Sequence, residues 1–262
     1  MNSIPDAMVD RTDERYLLDG AWFPVTHGIA FLAADAATCA DQLVAWRGRA
    51  TTELTGGVLR ARRVEGTLAE LLSTLLPLRT AYVTRYLMLP TAGGRWTAML
   101  DNSWRGSVAI SVAAGMAARP GGMRGVGVVD SPQTFDRRTR TGWWGARGVG
   151  VFDPDPSATW GVRGSSVKVQ VSDTGRRWEL TEPDEEWPLP DPLDRTARRT
   201  QDTFSRASLR RVVDALRIRL HDESFYAREG WGVLVELVGG RRVPGRERTL
   251  AQAQAHEFPE GD

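Results

Sequence analysis

The chain has 262 residues, 34 basic against 33 acidic (net charge +1) and 41% apolar content. A chain of this length buries about three quarters of its unfolded surface, so it needs no covalent or metal staple, and its composition excludes wholesale disorder. One cysteine, Cys39, excludes an intrachain disulfide framework and a Cys-cluster zinc site. Three histidines, His27, His221 and His256, leave little for a His-built centre, so neither a metal nor a cofactor is expected.

The basic residues are 33 arginines and one lysine, Lys168. GC-rich coding accounts for such a bias. The functional reading is forked recognition of carboxylate or phosphate by guanidinium groups. Ten tryptophans suit either a core or an interface, where Trp is enriched.

Residues 1–14 read as a flexible polar tail, with no basic segment leading into an apolar run, so no signal peptide is visible. Tyr16–Val25 alternates weakly and predicts a strand. Asp35 can cap a helix over Ala36, Cys39, Leu43 and Trp46, with Gly48 as its stop. Cys39 on that apolar face reads as a packed thiol. Leu54–Val64 predicts a strand. Thr67 and Glu70 form a capping-box pair ahead of Leu68, Leu71, Leu72, Leu75 and Leu76, and Pro77 ends that helix. This greasy stretch falls far short of the ~20 residues of a membrane span; a cytoplasmic protein with no membrane partner is expected.

Tyr82–Leu89, the turn Thr91–Gly94 and Trp96–Leu100 predict a hairpin. Trp104 and Arg105 lie at the tip of a turn, after which Ser107 can cap a short helix to Ala118. Met123–Val129 and Gly148–Phe152 read as strands. Ser166–Val171 and Arg176–Leu180 read as a second hairpin across an Asp-Thr-Gly turn. Residues 182–194 form an acidic, proline-rich connector. Leu209, Val212, Val213, Leu216 and Leu220 then share a helical face, and Trp231–Val238 is a last strand. Hairpins with interposed helices predict an α+β fold: a single domain over 15–240, with a largely antiparallel sheet flanked by several helices. The final strand should return to the main sheet, leaving 241–262 as a polar tail.

Catalytic signatures are absent. There is no Walker-type P-loop, no His-Glu-x-x-His and no Gly-x-Ser-x-Gly. Gly125-Val-Gly127 lacks the third glycine of a dinucleotide fingerprint, because Asp130 stands in its place. Lys168 lies mid-strand and reads as a solvated side chain. His221, after a helix, reads as a capping and surface residue. Asp153 and Asp155 flank a proline in a stiff turn, and Asp184-Glu185-Glu186 reads as a solvated run.

The strongest signal outside the core is arginine beside tryptophan. Arg137, Arg138, Arg140, Trp143 and Trp144 fall in an irregular stretch with a local charge of +4 between Arg119 and Arg147. Arginines stack on indoles and fork onto carboxylates. Trp104 and Arg105 join them as partner-binding candidates. Eight arginines between Arg195 and Arg219 give +6 locally, which suits nucleic-acid phosphates or pairing with the acidic connector just upstream. The expected function is a protein-binding module without catalytic activity, of the immunity or inhibitor type that neutralises a toxin or other partner. Two alternatives stand beside it: an enzyme whose site is assembled from distant residues, and an Arg-mediated nucleic-acid binder.

Overall fold

The computed structural model describes residues 16–255, apart from 120, 137, 155–165, 184–185, 228 and 242. The tail over 1–14 and residues 256–262 lie outside them. Tyr16–Val25 is not a strand. A 3-10 turn at Leu17–Gly20 and further turns replace it, with Leu18 and Asp19 in the left-handed region. Leu17, Phe23 and Val25 are buried by the curl of the chain, not by alternation. The first strand, β1 (Gly28–Leu32), is buried at every position, as a short continuous apolar run allows.

Asp35 accepts the Thr38 amide at 2.9 Å and starts α1 (Ala36–Thr55). Gly48 does not stop this helix. An interior glycine costs only about 1 kcal/mol, and Thr51 and Thr55 extend the buried face beyond it. The stop is Gly56, whose φ of 71° supplies a left-handed cap. Cys39 is fully buried, and burial pushes its thiol up to about 12. Next come β2 (Val58–Glu65) and α2 (Leu68–Ser73). The capping box is present: Thr67 accepts from the Glu70 amide, and Glu70 accepts from the Thr67 amide at 2.7 Å. The helix ends at Ser73, a turn before Pro77.

After β3 (Leu78–Arg79), the expected hairpin is β4 (Arg85–Pro90) and β5 (Thr97–Asp101). Ser107 makes no side-chain cap to α3 (Val108–Ala117). Asp101 does that work from the strand end, accepting the amides of Ala109 and Ser103 at 2.5 and 2.6 Å. Then follow β6 (Gly125–Ser131), β7 (Ala146–Phe152), β8 (Ser166–Asp173), β9 (Trp178–Thr181), α4 (Thr200–Thr203) and α5 (Arg206–Ala215). Ser205 caps α5, whose Leu209, Val212, Val213 and following Leu216 are all buried. The chain ends in β10 (Trp231–Val238), β11 (Glu247–Arg248) and α6 (Leu250–Ala255).

Nine strands form one antiparallel sheet in the order β2-β10-β4-β5-β1-β6-β7-β8-β9. β10 enters between β2 and β4, so the strand after the acidic connector does return to the main sheet, and the architecture is α+β. The segment after 240 is partly structured: β11 pairs with β3, and α6 buries Ala253. On one face α1 and α3 pack over Leu32, Met88, Met99 and Val235. On the other, α2 and α5 pack over Phe31, Leu87 and Val128. Trp96 fastens α5 there by donating its indole N–H to the Leu216 carbonyl at 2.9 Å.

Candidate functional site

Strand registers place three connections at one end of the sheet. β5 ends at Asp101 beside the start of β1. Ser131 of β6 faces Ala146 of β7, and Ala146 faces Ser172 of β8. The 102–107 turn, the 132–145 connector and the 174–177 turn therefore leave the sheet together. Arg105, Arg138, Arg140, Arg176 and Arg177 are exposed on them.

The 132–145 connector is held by its own backbone. Thr134 and Phe135 donate their amides to the Trp143 carbonyl at 2.9 and 3.0 Å. Asp136 donates to the Thr141 carbonyl, and its carboxylate accepts the Arg138 amide at 2.7 Å. Gly142, with φ of 99°, presses against the Thr134 carbonyl where a Cβ would collide. This closed loop presents Arg138 and Arg140 outward, with Arg140 at a left-handed φ of 57°. Arg137 lies outside the described residues.

The sequence candidates divide. Trp143 and Trp104 are buried, at 6% and 4% exposure, and so are scaffold, not contact surface. Trp143 meets Phe23 edge-on at 4.9 Å, His27 at 5.7 Å and Trp104 at 6.3 Å. The structure thus joins the 104–105 and 138–144 segments through an aromatic seam. Trp144 points the other way. It is half-buried, stacks on Phe135 at 3.7 Å and abuts Gly175 of the neighbouring turn. Arg105 and Arg248 lie over Trp104 at 5.3 and 5.4 Å. Arg177 pairs with Glu179, whereas Arg105, Arg138, Arg140 and Arg176 make no ion pair among the described residues.

Behind the loop lies a buried ionic cluster. Asp130 of β6, 3% exposed, accepts from Arg206 Nε at 3.0 Å and meets His221 Nε2 at 3.1 Å. Arg206 is itself buried and lies under the Tyr16 ring at 4.2 Å. Burial would raise the Asp130 carboxyl. The His221 hydrogen bond and the charges of Arg206, His221 and Arg147 outweigh it and hold the carboxyl below its ordinary value. His221 is therefore a buried-cluster partner and not the surface cap expected from its place after a helix. The sequence did carry one sign of the cluster: Arg206 stands three residues before Leu209, on the apolar stripe of α5. Nothing local announced that Asp130 and His221 would meet. His27, on the aromatic seam, is held neutral by burial, with its pKa down to about 4.

Four of the eight arginines from Arg195 to Arg219 are matched with carboxylates among the described residues, Arg206 by Asp130. Arg195 pairs with Glu182 and Asp191 of the connector, Arg199 with Asp202, and Arg219 with Asp222. Among the described residues no group of three His, Cys, Asp or Glu side chains could hold a metal, and no helix is long and apolar enough to cross a membrane. Comparison with protein-family models, curated proteins and solved structures finds no match to this chain.

Proposed function

We propose that the chain is a protein-binding module, of the inhibitor or immunity type, whose arginine-bearing sheet end docks an acidic protein surface. The observation that carries the reading is that the connections bearing Arg105, Arg138, Arg140 and Arg176 leave the sheet at one end, these arginines having no ion partners among the described residues, and that one of the connections also carries the stacked Phe135–Trp144 pair. Half-buried aromatics and exposed arginines on the same loops are the composition of interface hot spots. A field of one sign also steers a charged partner and speeds encounter. The nucleic-acid alternative needs the loop arginines and the 195–219 arginines to form one positive face. Pairing of Arg195, Arg199, Arg206 and Arg219 with carboxylates weakens it.

The test combines Trp144→Ala and Arg138→Glu with affinity capture of the native partner. Each variant should weaken capture by about tenfold or more, the scale of a hot-spot truncation, with thermal midpoints close to wild type. Undiminished capture by both variants contradicts the reading. Recovery of nucleic acid in place of protein, released steeply by salt, would select the alternative.

A further inference from the structure

α3 covers β5, β1 and β6 but reaches only the near edge of β7. Beyond it no described helix covers the same sheet face. Apart from Phe152 at one end, the residues that β7 and β8 point to this side are small or polar: Ala146, Gly148 and Gly150 on one strand, Lys168, Gln170 and Ser172 on the next. A trough of about 320 Å³ results, at the small end of the roughly 300–1,000 Å³ usual for small-molecule sites. Its floor is the backbone at Gly148 and Gly150. One wall is Ser107, Ile110 and Ser111 at the start of α3, and the other is Lys168 and Gln170.

Phe152 shapes the apolar end. Its ring lies against Gly125, Gly127 and Gly150 and fills the space their missing side chains leave. It stops short of Gly148, where only Gln170 leans across. The opposite end is closed by His27, 8% exposed, whose Nδ1 has no hydrogen-bond partner among the described residues. The side chains of Ser107, Ser111, Lys168 and Gln170 likewise make no hydrogen bond or ion pair among the described residues. Among the described residues no carboxylate lines the trough. Among the described lining residues the one formal charge is that of Lys168, the only lysine in the chain.

We propose that this trough binds a small aromatic carboxylate, with Lys168 holding the carboxylate and the ring lying against Ile110 and Phe152. Ile110 and Phe152 give the ring apolar edges. Lys168 and the Gln170 amide supply donors to the carboxylate, a charge-assisted arrangement, and the Ser107 and Ser111 hydroxyls take polar ring substituents. The site lies on the α3 face of the sheet, whereas Asp130 and its cluster project from the other.

The probe is para-fluorobenzoate. Protein labelled only at lysine shows a single backbone lysine amide resonance, that of Lys168. Titration should move that resonance saturably, with half-saturation in the low millimolar range, and fluorine NMR should broaden the ligand signal in parallel. Lys168→Gln should weaken binding about five- to tenfold. Ser111→Phe, on an exposed helix position, should fill the trough and abolish binding without changing the thermal midpoint. Neutral para-fluorobenzamide should bind more weakly than the carboxylate. An unmoved Lys168 resonance at about 20 mM probe, or equal binding by wild type and Lys168→Gln, overturns the proposal. So does undiminished binding by folded Ser111→Phe.

Discussion

Trp143 and Trp144 are adjacent, yet one is buried in the aromatic seam with Phe23, His27 and Trp104, and the other lies half-open on Phe135. Their alternation follows from the extended backbone entering β7, where consecutive side chains point to opposite sides. The seam has a consequence for pH. Burial holds His27 neutral, with its pKa lowered from 6.5 to about 4. The unfolded chain therefore takes up a proton first. The His27 contribution to stability is whole above pH 6.5 and is lost as pH falls toward 4, by up to about 3 kcal/mol. Asp101 has the opposite sign. Burial raises its carboxyl from 3.8 to about 6, despite the amides of Ala109 and Ser103. Its contribution is whole below 3.8 and is lost as pH rises through 6. The two slopes oppose between pH 4 and 6, so the wild type should change little there. His27→Gln keeps only the Asp101 slope and should gain stability relative to its own pH 7 value on acidification to pH 4.5. Urea midpoints at the two pH values check this, and parallel pH profiles for variant and wild type would contradict it.

At the scale of elements, the loop that carries Arg138 and Arg140 depends on one glycine. Gly142 has a positive φ and no room for a Cβ beside the Thr134 carbonyl. Gly142→Ala should cost about 1–3 kcal/mol and loosen the Phe135–Trp144 stack, seen as lost near-ultraviolet dichroism with the far-ultraviolet spectrum intact. Retained near-ultraviolet signal and unchanged stability would show that the loop does not rest on this residue. Elements with local signatures were legible in the sequence. The Thr67–Glu70 capping box, the hairpins on either side of Thr91–Gly94 and Ser172–Gly175, the apolar stripe of α5 and strand β10 all stand near their expected places. Misread elements were decided by tertiary packing. α1 runs through Gly48 because the sheet buries its second half, and Tyr16–Val25 curls because its apolar residues are gathered by neighbours distant in sequence.

At the scale of the whole molecule, the candidate site was half legible. Arginine beside tryptophan marked the 138–144 loop and the 104–105 turn as surface candidates. Their meeting at one end of the sheet depends on β1 lying between β5 and β6, a long-range pairing that no local pattern encodes. Trp104 and Trp143 proved to be the joint between the two segments. Of the eight arginines from Arg195 to Arg219, four are paired with carboxylates among the described residues, Arg195 by the acidic connector. The pattern of charge therefore favours a compact acidic surface over a long phosphate backbone as the partner.

Hydrogen exchange of the protein with and without its captured native partner tests the docking claim most directly. The predicted result is slowed exchange confined to three segments, 103–107, 134–144 and 174–177, which the fold gathers at one end. Protection elsewhere, with these three segments exchanging as in the free protein, would contradict it.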